Sequence, residues 1–173
     1  MFKDFKELLS VLNDNSVKYL VVGGYAVSFH AQPRATKDLD ILVKPDRKNG
    51  VALFRALADF GAPLAGFEPG DLVEKGKFFR MGSPPVAVDI LPEIDGIDSF
   101  DAVWRRRVEV NVDEKTGLKA WFISAEDLVI AKVAAGRAQD IADADAVRKA
   151  QSGISGDASP RLTKARRKKK PRS

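Results

Sequence analysis

A short apolar run, Tyr19–Val22, closes on two consecutive glycines, and 13 residues separate Gly24 from a second apolar run that opens with Asp38-Leu39-Asp40. No other stretch constrains the fold as much. The first run is rich in β-branched residues and too short for a helix, so it reads as a buried strand that turns at Gly23-Gly24 into a helix over about 25–31. Pro33 stops that helix, and Leu39–Val43 reads as a second strand that Pro45 ends. The interval is long enough for one helix and a return strand, which would bring the glycine turn and the carboxylates together.

The flanking sequence alternates helical and extended patterns. Phe2, Phe5, Leu8, Leu9 and Leu12 recur at spacings of three and four, which predicts an amphipathic helix. A second helical pattern covers 51–60, with Gly61 as its stop, and 62–76 is a Gly- and Pro-rich loop. Strands are expected at 78–81, at 86–91 up to Pro92, at 108–112 and at 118–123, with a short helix over 98–105. Ser124 with Asp127 three residues on gives an N-cap pattern before an apolar helix through Leu128, Ile130, Val133 and Ala134. A last helix is expected over about 139–150. The expectation is an α/β (α+β) fold with three parts. A small mixed sheet flanked by helices occupies 1–123, a short helical pair packed on it occupies 124–151, and a disordered basic tail follows over 152–173.

Composition narrows the function classes. A chain of 173 residues with 45% hydrophobic content can build one domain with a core. No run approaches the roughly 18–20 apolar residues of a membrane span. The N-terminus opens on charged, helix-patterned sequence instead of a secretion signal, so a soluble, cytoplasmic protein is expected. The absence of cysteine excludes a disulfide scaffold and a thiolate zinc site, and a lone His30 argues against a multi-histidine centre and suits packing at a helix end. The net charge of +5 belongs to the tail: residues 156–173 hold eight Lys or Arg and one Asp, leaving 21 basic and 23 acidic side chains elsewhere. Such a tail either contacts nucleic-acid phosphates or is simply solvated, and without interleaved aromatics it offers no base recognition.

The candidate chemistry lies in the carboxylates. Strand periodicity sends Asp38 and Asp40 to one face, where two like charges repel unless a divalent cation bridges them. Hard oxygen ligands suit Mg²⁺ or Mn²⁺. Asp89 sits in the otherwise apolar string Val86-Ala87-Val88-Asp89-Ile90-Leu91, where an unpaired charge is costly, so it needs a metal or else an Arg or backbone donors. Gly23 and Gly24 are either an ordinary strand-to-helix turn or a cradle where phosphate meets backbone amides at a helix N-terminus. Arg34 and Thr36 either bind phosphate or brace the loop, with bracing ahead for Thr36. Asp140 and Asp143 share a helical face and suit salt bridges with Arg137 or Lys132, while Trp104 and Trp121 suit packing.

Gly23-Gly24-Tyr25-Ala26 followed by Arg34-Ala35-Thr36-Lys37-Asp38-Leu39-Asp40-Ile41 resembles the fingerprint of the DNA polymerase β-like nucleotidyltransferase superfamily. Its Arg-x-Thr-x-Asp-hydrophobic-Asp form looks most like the AbiEii-type nucleotidyltransferases of toxin-antitoxin and phage-defence systems. The similarity continues through Ile123-Ser124-Ala125-Glu126-Asp127-Leu128, Lys132 and Gly136-Arg137, and covers most of 17–150. The resemblance implies metal-dependent transfer of a nucleoside monophosphate from an NTP to an acceptor. Asp38 and Asp40 would hold two ions, Asp89 would assist with the ion that activates the acceptor, Gly23 and Gly24 would meet the triphosphate, and Lys132 would contact phosphates unless it is a snorkelling helix lysine. The implied partners are an RNA acceptor such as tRNA, or a protein, and a cognate antitoxin or toxin. Two other readings remain open: an aminoglycoside-type small-molecule nucleotidyltransferase, and a non-catalytic antitoxin-like binding module of the same fold.

Overall fold

The N-terminal amphipathic pattern forms helix α1 (Lys3–Asp14), which buries Phe5, Leu8, Leu9 and Leu12 on one face. Burial of this kind contributes about 2 kcal/mol per side chain and docks the helix on α3 (Arg47–Phe60). The computed structural model describes residues 1–156. The remaining elements are β1 (Tyr19–Val22), α2 (Gly23–His30), β2 (Leu39–Val43), β3 (Phe79–Met81), β4 (Val88–Leu91), α4 (Phe100–Arg105), β5 (Val108–Asp113), β6 (Leu118–Phe122), α5 (Ala125–Ala135) and α6 (Ala138–Gly156). A single 3₁₀ turn, Asp71–Val73, interrupts the loop expected over 62–76.

The six strands lie in the order β3-β4-β2-β1-β6-β5. Pairing is mixed: β1 runs antiparallel to β2 and parallel to β6, β2 runs parallel to β4, and β3 and β5 are antiparallel edges. All four residues of β1 are buried, so both faces of the sheet are covered at its centre. α2 packs on β1 and β2 and on the α5–α6 pair, which is how the helical hairpin comes to border the second strand. The expected α/β class is the observed one. Among the described residues no helix is long and apolar enough to cross a membrane.

Several boundaries differ from the sequence pattern, each for a local reason. α2 starts at Gly23, so both glycines belong to its first turn; Gly23 adopts a left-handed φ of +62° that a larger residue resists. α3 starts at Arg47, four residues before its expected start, because the Asp46 side chain caps it by accepting from the Asn49 amide at 2.8 Å. β4 is shorter than 86–91, beginning at Val88. α6 continues to Gly156 past the expected end near 150, with the Ser152 hydroxyl donating to the Arg148 carbonyl at 3.0 Å. The disordered basic tail expected from 152 onward meets that helix over its first residues, and the part beyond 156 lies outside the described residues.

Asn49 joins the two central strands in a way the sequence did not announce. Its side-chain oxygen accepts from the Lys18 amide at 2.8 Å, and its nitrogen donates to the Lys18 and Lys44 carbonyls, each at 3.0 Å. Those carbonyls flank the start of β1 and the end of β2. Asn49 is 5% exposed, so water does not replace it readily. Asn49→Ala removes the partner of the Lys18 amide, while the Lys18 carbonyl keeps its bond from the Lys44 amide at 3.1 Å and the Lys44 carbonyl its bond from the Asp46 amide at 3.0 Å. It should destabilise the protein by about 2 kcal/mol, read as a lower urea midpoint with an unchanged slope.

Candidate active site

Strand register builds a row across the sheet. Val22 of β1 lies opposite Asp40 of β2, Asp40 lies beside Asp89 of β4, and Asp89 lies opposite Arg80 of β3. Neighbours in such a row stand about 4.8 Å apart at the backbone and point to the same face, so Asp40 and Asp89 are adjacent carboxylates. Asp38 precedes β2 by one residue, and its Oδ1 is buried without a hydrogen-bond partner.

The electrostatics follow from that crowding. Burial pushes the Asp40 carboxyl up to about 6, and the negative charges of Asp89 and Asp38 push in the same direction against the opposing pull of Lys132 and Arg80. Asp89 is held in a two-pronged pair, with Arg80 Nε and Nη2 each donating to one carboxylate oxygen at 2.7 Å. Arg80 Nη2 also stands 3.5 Å from Asp38 Oδ2. That hydrogen-bonded contact with Asp89 holds the guanidinium above its ordinary pKa.

A cleft of about 860 Å³ opens beside this row, within the size range of small-ligand sites. Gly23, Gly24, Arg34, Thr36, Asp38, Asp40 and Lys132 all line it. Asp89 does not. The structure thus gathers every expected site residue around one opening except the third carboxylate, which lies alongside under Arg80.

Several lining residues have a structural explanation of their place. A Cβ on Gly23 would collide with the Asp40 carboxylate, and one on Gly24 would meet Thr36 Cγ2 at 2.7 Å. The glycines therefore admit Asp40 and the loop as well as leaving backbone open to the cleft. Thr36 Oγ1 donates to the Arg34 carbonyl at 3.3 Å, which braces the loop. Arg34 reaches 109 residues along the chain to Asp143, with Nη2 to Oδ2 at 3.1 Å and Nη1 to Oδ1 at 3.0 Å. Lys132 Nζ bridges Asp140 at 2.8 Å and Asp143 at 3.0 Å, and Arg137 Nε donates to Asp140 at 2.6 Å. Burial opposes ionisation of Asp140, yet the hydrogen bonds from Arg137 and Lys132 prevail and hold its carboxyl below the usual value.

Residues outside the cleft take supporting roles. His30 Nε2 meets the Ile123 carbonyl at 2.7 Å, and burial lowers the imidazole pKa, so the ring packs at the end of α2. Asp127 is held by Arg106 and by Ser124, which caps α5. Trp104 and Trp121 meet edge to face, and the Arg107 guanidinium lies 3.9 and 4.6 Å from their ring centres. Sequence reasoning missed Arg80, whose signal was its place between Phe79 and Met81: the alternation isolates one cation on the face opposite two apolar residues.

The donor set can be tested against a metal. Among the described residues, no three His, Asp or Glu side chains are gathered so as to hold an ion by themselves. Asp38 and Asp40 nonetheless fit Mg²⁺, which binds through one or two carboxylates and completes its shell with water and substrate phosphates. Burial and crowding leave Asp38 Oδ1 without a partner and raise the Asp40 pKa, and a divalent cation held between the two carboxylates would relieve both.

A family model described as a nucleotidyltransferase of unknown function (DUF6036) matches residues 1–150. The chain belongs to this family. No curated protein matches it. The match spans all six strands and reaches into α6, so it covers every lining residue of this nucleotidyltransferase's cleft. It supports the nucleotidyltransferase superfamily as a whole without singling out the AbiEii type.

Two measurements probe the site without substrate. Gly23→Ala should destabilise the nucleotidyltransferase by at least about 1 kcal/mol, because the new methyl meets both the left-handed backbone and Asp40; thermal unfolding reads this. The Asp40 pKa is raised from 3.8, so its contribution favours the folded state below pH 3.8 and is lost as pH rises through about 6. Asp40→Asn cannot ionise and should raise unfolding stability in metal-free urea titrations at pH 8 by on the order of 2 kcal/mol, and by much less at pH 4.

Proposed function

We propose that this chain transfers a nucleoside monophosphate from an NTP to an acceptor hydroxyl with Mg²⁺ or Mn²⁺ as its cofactor. The observation that carries the reading is the Asp38–Asp40 pair at the mouth of the cleft, one of its oxygens buried without a partner. Asp38 and Asp40 would hold the cation, which supplies positive charge to the triphosphate oxygens. The acceptor oxygen bonds to the α-phosphorus, the bond from that phosphorus to the β-bridging oxygen breaks, and pyrophosphate leaves. The acceptor's proton passes to a carboxylate of the site.

The rest of the cleft supports an anionic substrate. Gly23 and Gly24 place the first-turn amides of α2 at the lining, where backbone N–H groups would meet phosphate oxygens. Arg34, Lys132 and Arg137 surround Asp140 and Asp143, so three cations against two carboxylates leave one net positive charge facing the opening. The likeness of the 34–40 string to the AbiEii type supports RNA such as tRNA, or a protein, as acceptor. It also supports a toxin-antitoxin or phage-defence setting with a cognate antitoxin or toxin as partner.

The test is incubation of the full chain with each labelled NTP, Mg²⁺, total RNA and a protein extract. An RNA or protein species should take up label in one of the four reactions. Asp38→Asn should lower the uptake at least about 100-fold while unfolding at a similar temperature. Equal labelling by the folded variant overturns the proposal.

A further inference from the structure

The third carboxylate is already occupied. Arg80 faces Asp89 directly across the β3–β4 ladder, so its place is set by backbone pairing and not by a loop that could relax. Both Asp89 oxygens are engaged by the guanidinium fork at 2.7 Å, and the same group reaches Asp38 Oδ2 at 3.5 Å. A guanidinium keeps its charge across the working pH range, and its planar fork matches a carboxylate in a way a point charge does not.

We infer that Arg80 is a positioning residue that supplies the second positive charge of the centre, so that the site takes a single divalent ion on Asp38 and Asp40. This rests on the metal-dependent reading above and refines it. Charge balance favours it. Three carboxylates and one guanidinium leave two net negative charges, which one divalent cation neutralises. A second ion would need Asp89 as a ligand, and recruiting it would break a bidentate, charge-assisted pair. The geometry of the opening agrees, since Asp38 and Asp40 line the cleft and Asp89 does not. The oxygen left without a partner is on Asp38, the carboxylate that Arg80 touches only at its other oxygen.

The experiment is electron paramagnetic resonance and equilibrium dialysis of the full chain with Mn²⁺ and the α,β-methylene analogue of each of the four NTPs. Wild type should bind one Mn²⁺ per chain in the complex, with no Mn–Mn coupling in the spectrum. Arg80→Gln frees Asp89 and should bind a second ion with coupling visible, while Arg80→Lys, which keeps the charge, should stay at one. Two coupled ions in wild type, or a single ion in folded Arg80→Gln, overturn the inference and leave the nucleotidyltransferase reading intact. Absence of bound Mn²⁺ with every analogue, or equal binding by Asp38→Asn, overturns both. Should Arg80→Gln fail to fold, the wild-type stoichiometry and spectrum decide the matter alone.

Discussion

Repulsion among Asp38, Asp40 and Asp89 is the constraint around which the rest of the molecule is arranged. Parallel pairing of β2 with β4 sets Asp40 and Asp89 side by side, and Asp38 adds a third negative charge two residues before Asp40. Such a cluster cannot remain fully ionised in a half-buried place without compensation, and burial, with the repulsion of Asp89 and Asp38 added to it, raises the Asp40 pKa. Arg80 answers one charge from the neighbouring edge strand. Gly23 answers a steric demand of the same cluster, since only a residue without Cβ leaves room for the Asp40 carboxylate.

The helical pair depends on this centre through a second set of charges. Asp140 and Asp143 are 1% and 3% exposed, an environment in which lone carboxylates would be strongly destabilising. Lys132 from α5 and Arg34 from the loop before β2 meet them there, so α6 is tied both to its own partner helix and to the segment carrying the carboxylate pair. Buried ion pairs of this kind contribute little net stability, but they penalise any other placement of the hairpin, which gives the cleft a defined far wall.

Local pattern made much of the fold legible. α1, β1 and β2 follow from apolar spacing because a period near 3.6 or of 2 is recorded in consecutive residues. The Ser124 cap was legible for the same reason, as donor and acceptor lie three residues apart. The start of α3 was obscured by Asn49 and Gly50, residues with poor helix propensity that are held there by Asp46 and by packing beneath the 62–76 loop. The end of α6 was misjudged because its small polar residues resemble a linker by composition, although its first half is anchored by buried Ala144 and Val147.

By itself, the sequence determined which residues bear charge at the candidate site and that Asp38 and Asp40 stand two residues apart at the entry to a strand, since both facts are local. It determined equally that Asp89 needs a partner, because a charge within an apolar string needs one in any fold. Only the tertiary structure decided who that partner is. Arg80 meets Asp89 through strand register, and Arg34 meets Asp143 across more than a hundred residues, and neither pairing leaves a trace in local spacing. The physical reason is that side-chain direction is set by backbone periodicity within an element, whereas charge compensation is set by which elements pack together.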